Sequence, residues 1–212
     1  MSVLVVAPHQ DDEVLGCGGT ISKLVQKNID VDVIIITNKR IESDSSEAVR
    51  LKLGYRRLHN LSFTDETVTH KTVDLIKFIE NIYTSDTYVD VYIPYKFDYN
   101  MDHGAVFDAC DVSFRLLQAN PPHRVFCYEI LSSTNQYSVP IKLPFAPNYY
   151  EVLSSHHISK KIEAMTLGYP SQIRPSNHPR SVDGITCLSR LRGMECNSMY
   201  AEGFILLRQL EL

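Results

Sequence analysis

Val3-Leu4-Val5-Val6-Ala7-Pro8-His9-Gln10-Asp11-Asp12-Glu13 is the stretch on which the reading of this chain turns. Its first half is a short apolar run without alternation, the pattern of a strand buried on both faces. Its second half packs one imidazole and three carboxylates into His9–Glu13. Like charges this close repel unless a cation or a proton compensates. A divalent metal is the economical solution, and imidazole with carboxylate suits zinc. In open parallel sheets ligands gather beyond the carboxyl ends of strands, which is where this run falls.

Working outward, similar apolar runs recur at Val31–Thr37, Val89–Pro94, Arg124–Ile130 and Gly203–Arg208. Helical periodicity lies between them: Ile21, Leu24 and Val25 share a face, as do Ile76, Ile79 and Tyr83, and Val106, Ala109, Cys110 and Leu117. Ser159–Gly168 and Val182–Arg192 read as two more helices, with Gly168 and Gly193 as C-cap glycines. This alternation predicts an α/β fold, a mostly parallel sheet with helices on both faces. Asn135–Tyr150, with Pro140, Pro144 and Pro147, reads as an irregular segment over one end of the sheet. The length of 212 residues predicts one domain over 1–212.

Composition narrows the function. A net charge of -4 gives no reason to expect nucleic acid or an anionic membrane as partner, and no apolar run reaches the roughly 20 residues of a transmembrane helix. Met1–Val6 lacks the positive flank of a signal peptide. The five cysteines form no CxxC pair, which argues against disulfides or a thiolate zinc knuckle and for a cytoplasmic setting. Gly16-Cys17-Gly18-Gly19 lacks the spacing of a nucleotide loop, so these glycines read as packing residues and Cys17 as a small core residue.

A further metal ligand has to come from elsewhere in the chain. Asp98-Tyr99-Asn100-Met101-Asp102-His103 follows the Val89–Pro94 strand, and His103 opens the next helix. The alternative is that His9 and His103 are ordinary loop histidines. His59, His70, His123, His156 and His157 read as surface or loop residues.

His9-Gln10-Asp11-Asp12-Glu13-Val14-Leu15-Gly16-Cys17-Gly18-Gly19-Thr20 resembles the HPDDE-x-x-x-x-G-G signature of the LmbE/PIG-L family of zinc-dependent de-N-acetylases. The resemblance continues at Asp102-His103, Tyr169-Pro170-Ser171-Gln172, Arg192-Gly193 and Tyr200-Ala201-Glu202-Gly203-Phe204. It implies a Rossmann-like fold and a metal held by His9, Asp12 and His103, zinc or another divalent ion such as Fe2+. It implies Asp11 as general base, Asp102 as partner of a ligand, Glu13 as a structural acid and Asp65 as a substrate contact.

Two departures stand out. Gln10 replaces the usual proline, and Asn100 replaces a histidine common three positions before the second ligand histidine. Glu129-Ile130-Leu131-Ser132-Ser133-Thr134 and His178-Pro179-Arg180-Ser181 are similar to a subset of the family that also has this asparagine. Asn100 can donate a hydrogen bond to an oxyanion but cannot carry charge, and His178 is the expected source of the missing imidazole. An arginine often found before the second helix has only Arg40 and Arg50 as imperfect counterparts. The expected activity is hydrolysis of the N-acetyl group of an N-acetylglucosamine-like sugar or conjugate, releasing acetate, with assembly as a homo-oligomer left open. The alternatives are a sugar-binding protein without catalysis, and a metal hydrolase of another acyl amide.

Overall fold

A computed structural model describes residues 2–37, 41–65, 68–134, 136 and 143–211. Seven strands form one sheet: β1 (Ser2–Ala7), β2 (Asp30–Thr37), β3 (Arg57–Phe63), β4 (Tyr88–Pro94), β5 (Arg124–Tyr128), β6 (Tyr149–Leu153) and β7 (Tyr200–Gln209). Six α-helices join them: α1 (Asp12–Gln26), α2 (Ser46–Leu53), α3 (Thr72–Tyr83), α4 (Met101–Ser113), α5 (Ser155–Gly168) and α6 (Val182–Glu195). The strand order is β3-β2-β1-β4-β5-β7-β6. The first five are parallel, whereas β7 runs antiparallel to β5 and β6.

Every residue of β1 is buried, and alternate side chains feed two cores. Val3, Val5 and Ala7 pack with Val14 and Ile21 of α1, Val49 of α2 and Met165 of α5. Leu4 and Val6 pack with Leu75 and Ile79 of α3 and Val106 and Cys110 of α4. A strand covered on both sides cannot alternate polar with apolar, which is why its sequence reads as a continuous run.

The strands absent from the sequence reading, β3 and β6, are the two edges of the sheet. Their partly exposed sequences, RLHNLSF and YYEVL, carry polar residues among the apolar ones. The expected α4 face reached Leu117, but the helix ends at Ser113 and Leu117 is 98% exposed. Gly168 and Gly193 also differ from expectation: both lie inside their helices. A Cβ at Gly168 would overlap Val49 of α2, and one at Gly193 would lie 2.7 Å from the Met199 backbone. Close packing, not capping, explains them. The C-cap in the left-handed region is Gly54, which ends α2 at φ 82°. His157 is buried rather than superficial, its Nδ1 accepting the Ser154 amide at 3.1 Å to cap α5. Asn135 and Pro140 lie outside the described residues.

Candidate metal centre

The strand order reverses direction beside β1: β2 and β3 lie on one side, β4 and β5 on the other. Such a switch point leaves a crevice at the carboxyl ends of the strands. The loops after β1, β4 and β5 meet there around a cavity of about 450 Å³.

The loop after β1 is shaped by its own residues. Thr37 N donates to Pro8 O at 2.9 Å, and Gln10 Nε2 donates to Ser46 Oγ at 2.8 Å, so the residue that stands in place of proline anchors the loop to α2. Asp11 adopts a left-handed backbone, φ 97°, as the N-cap of α1. A non-glycine residue there carries strain of order 1–3 kcal/mol, and such strain persists only where surrounding contacts enforce it. Glu13 enforces it, accepting Asp11 N at 3.2 Å and the Tyr169 hydroxyl at 2.6 Å.

Deeper support comes from the other family-like blocks. Glu202 on β7 accepts Gly19 N at 2.9 Å, Thr20 N at 2.7 Å, Thr20 Oγ1 at 2.6 Å and Lys161 Nζ at 2.7 Å, clamping α1 to α5 and the sheet. Arg192 grips Glu129 through two hydrogen bonds, 2.6 and 2.8 Å, at the root of the loop after β5. Gly16 has no room for a Cβ beside the Tyr128 ring, so α1 lies close against β5.

His9, Asp12 and His103 converge. His9 Nδ1 and His103 Nε2 lie 3.0 and 3.1 Å from the same atom, Asp12 Oδ2. Candidate ligand atoms of the three residues fall within 4.8 Å of one another. Tetrahedral zinc with bonds of about 2.0–2.1 Å separates its ligand atoms by roughly 3.3 Å, so this spacing fits a small divalent ion. His9 Nε2, on the far side of the ring, meets Asp102 Oδ2 at 3.3 Å and Asp65 Oδ1 at 3.0 Å. Behind His103, Nδ1 faces Asp98 Oδ2 at 3.3 Å, a charge contact without hydrogen-bond alignment. Asp98 in turn accepts Ser133 Oγ at 3.0 Å, Thr134 Oγ1 at 2.7 Å and Asn100 N at 2.8 Å.

The electrostatics fit a cation. Burial opposes charge on His9, but Asp102, Asp12 and Asp65 outweigh it and raise its pKa to about 12. Burial opposes charge on His103 too, yet Asp12 and Asp98 raise it to about 9. Burial also works against Asp12, but His103 and His9 hold it well below the usual carboxylate range. The cluster therefore demands positive charge. A divalent ion meets that demand by displacing protons from both imidazoles, which must be neutral to ligate. Burial and the neighbouring Asp12 push Asp11 up to about 7, with Arg180 pulling it back. Burial takes Glu13 to about 8 despite the Tyr169 hydrogen bond.

Asn100 lines the cavity, its Oδ1 capping α4 by accepting Asp102 N at 2.9 Å. His178 is placed differently from expectation. It is not among the cavity-lining residues, and its Nδ1 accepts Arg180 N at 3.0 Å, so the ring is turned to its own loop. Arg180, two residues on, lines the cavity and reaches Asp11 Oδ2 at 3.2 Å. Asp98 and Arg180 lie within blocks already singled out, but spacing alone did not mark them: Asp98 faces His103 from the loop that leads into α4, and Arg180 reaches Asp11 from 169 residues away. Arg50 pairs with Glu47 and does not line the cavity, and Arg40 lies outside the described residues.

Comparison with known proteins shows the family and the fold. The sequence profile of the family PIG-L: GlcNAc-PI de-N-acetylase matches residues 4–112, just over half of the chain. The chain is 26% identical over 176 residues to the uncharacterized deacetylase YaiS of Escherichia coli (strain K12), covering 77% of this chain and 88% of that protein. In structure it is similar to the conserved protein TT1542 from Thermus thermophilus, with a TM-score of 0.76, 22% identity and coverage of 100% and 97%. It is also similar to an N,N'-diacetylchitobiose deacetylase from Pyrococcus horikoshii, with a TM-score of 0.71, 20% identity and coverage of 97% and 83%. These two structural likenesses speak for the Rossmann-like α/β fold. No helix among the described residues is long and apolar enough to cross a membrane.

Proposed function

The chain belongs to the PIG-L family of de-N-acetylases, and from that premise we propose that it hydrolyses the N-acetyl group of an N-acetylglucosamine-like sugar or sugar conjugate. The observation that carries this reading is the convergence of His9 and His103 on Asp12 at the floor of an open cavity, with Asp11 beside them.

His9, Asp12 and His103 would hold zinc, with Fe2+ as the alternative ion. When bound, such an ion supplies Lewis acidity and lowers the pKa of water to about 7. Asp102 and Asp98 orient the two imidazoles through the nitrogens that do not face Asp12. Asp11 takes a proton from the attacking water as the water oxygen bonds to the acetyl carbon. The C–N bond then breaks, and Asp11 returns the proton to the departing nitrogen, leaving acetate and a free amine. Asn100, on the cavity wall, offers its amide N–H to the carbonyl oxygen as negative charge develops there. With the His178 ring turned away, proton transfer is assigned to Asp11 alone. Asp65 on the rim accepts from sugar hydroxyls.

The test is acetate and amine release from a panel of N-acetylated sugars, with N-acetylglucosamine and diacetylchitobiose included, by zinc-loaded and chelator-stripped protein. Release from at least one sugar, abolished by stripping and restored by metal, is expected. Release from simple acyl amides with none from any sugar overturns the substrate class.

A further inference from the structure

On the reading that Asp11 is the proton acceptor, we propose that Arg180 is its positioning residue, a clamp that fixes one carboxylate oxygen and leaves the other for the reaction. Arg180 Nη1 donates to Asp11 Oδ2 at 3.2 Å across 169 residues of sequence. Among the described residues, no side chain donates to Asp11 Oδ1. The guanidinium is itself held on other sides: Nη1 also donates to Gln172 Oε1 at 2.9 Å, and Nε donates to Ser132 Oγ at 3.0 Å. A planar fork with fixed donors aims a carboxylate as a flexible ammonium cannot.

The clamp has its own frame. The loop that carries Arg180 closes on itself: His178 N donates to Pro175 O and Ser181 N to His178 O, both at 2.9 Å. His178 Nδ1 receives Arg180 N, so this histidine shapes the backbone that presents the arginine. Ser181 then caps α6 by accepting Gly184 N at 2.9 Å. Gly184 packs with the position of its absent Cβ only 2.7 Å from His178 O, pressing the loop onto the helix.

The need for a clamp follows from the other end. Asp11 is buried and adjoins Asp12, so two carboxylates share one small space. Like charges drive such groups apart. Glu13 fixes the backbone of Asp11, but not its side chain. Arg180, which lines the cavity, supplies the missing restraint. Misplacing a reacting group by about 1 Å can cost roughly 100-fold in rate, so this restraint acts on kcat.

The experiment is a double-mutant cycle on the zinc-loaded full chain: wild type, Arg180→Ala, Asp11→Asn and the pair, assayed on the N-acetylated sugar turned over best. Arg180→Ala is expected to lower kcat about tenfold or more, with KM within about threefold and metal content unchanged. In the Asp11→Asn background the same change is expected to alter kcat less than about threefold, because the group it positions is gone. Added guanidinium should restore part of the activity of Arg180→Ala and none of the pair. Losses that multiply, a raised KM at constant kcat, or lost metal each overturn the proposal. If Arg180→Ala fails to fold, Ser132→Ala takes its place in the cycle, with a smaller loss and the same dependence on Asp11. A wild type that releases no acetate from any sugar refutes the parent reading, and this one with it; an active wild type with multiplying losses refutes this one alone.

Discussion

Replacing Asp98 by alanine probes how the proposed metal centre is held. Asp98 does two jobs: it faces His103 Nδ1 at 3.3 Å, and it accepts Asn100 N, Ser133 Oγ and Thr134 Oγ1. Alanine leaves those three donors without this acceptor, Thr134 Oγ1 in a buried setting and the other two in a partly buried one. At about 1 kcal/mol each, the low end for an unsatisfied buried group, the loss is about 3 kcal/mol. For a domain of this size that lowers Tm by roughly 6–12 °C. The second effect falls on the metal. Losing the acid behind a ligand histidine typically weakens binding about 10–100-fold, or roughly 1.4–2.7 kcal/mol. Asp98→Asn separates the two in part: its single amide oxygen can accept from Ser133 and Thr134 or from Asn100, not from all three, while the charge facing His103 is gone. It should recover part of the stability and little of the metal affinity. Thermal unfolding of the metal-free proteins and zinc titration against a competing chelator measure each part. Zinc affinity of Asp98→Ala within about twofold of wild type would refute the role given to Asp98.

Asp11→Asn keeps every proposed ligand and should keep full metal occupancy while losing about 10²–10⁴-fold in kcat, measured by amine release. Glu202→Ala strands the buried Lys161 ammonium with only Leu15 O and frees the α1 donors, so it should cost about 3–5 kcal/mol in urea unfolding. Lys161→Met should cost less, since Glu202 keeps three donors from Gly19 and Thr20; the reverse order in the same assay contradicts the clamp. Asp32 titrates low: burial would raise it, but Arg56, Arg57 and Tyr88 outweigh burial and take it from 3.8 to about 2. A depressed carboxylate stabilises the fold above its unfolded pKa, so about 2 kcal/mol should vanish as pH falls from about 4 to about 2. Asp32→Asn should be less stable at pH 7 and flatter across that acid window in pH-dependent unfolding.

What could be read from the sequence divides along physical lines. The inner parallel strands were legible because burial on both faces leaves a nearly unbroken apolar run, as in Val33–Ile36. The edge strands β3 and β6 were not, since one side of each lacks a partner and tolerates polar residues. The antiparallel direction of β7 is set by a long-range pairing with Arg124–Tyr128 that no local pattern encodes. At the site, His9 and His103 stood out by residue type and position, Asp12 was singled out from its neighbouring carboxylates by the family resemblance, and the structure brings the three together. Arg180 and Asp98 were not legible, because each gains its role from a contact made in three dimensions. His178 and Arg180 stand two residues apart, and only the backbone path of 175–181 shows which of them faces the cavity.

As proposed, His9, Asp12 and His103 together hold the metal that deacetylation requires. Metal content by elemental analysis, read with acetate release from the same preparations of wild type, His9→Ala and His103→Ala, tests it most directly. About one divalent ion per wild-type chain is expected, with loss of both metal and activity in each variant, since removing one of three protein ligands leaves an open, weak site. Undiminished metal in both variants would contradict it.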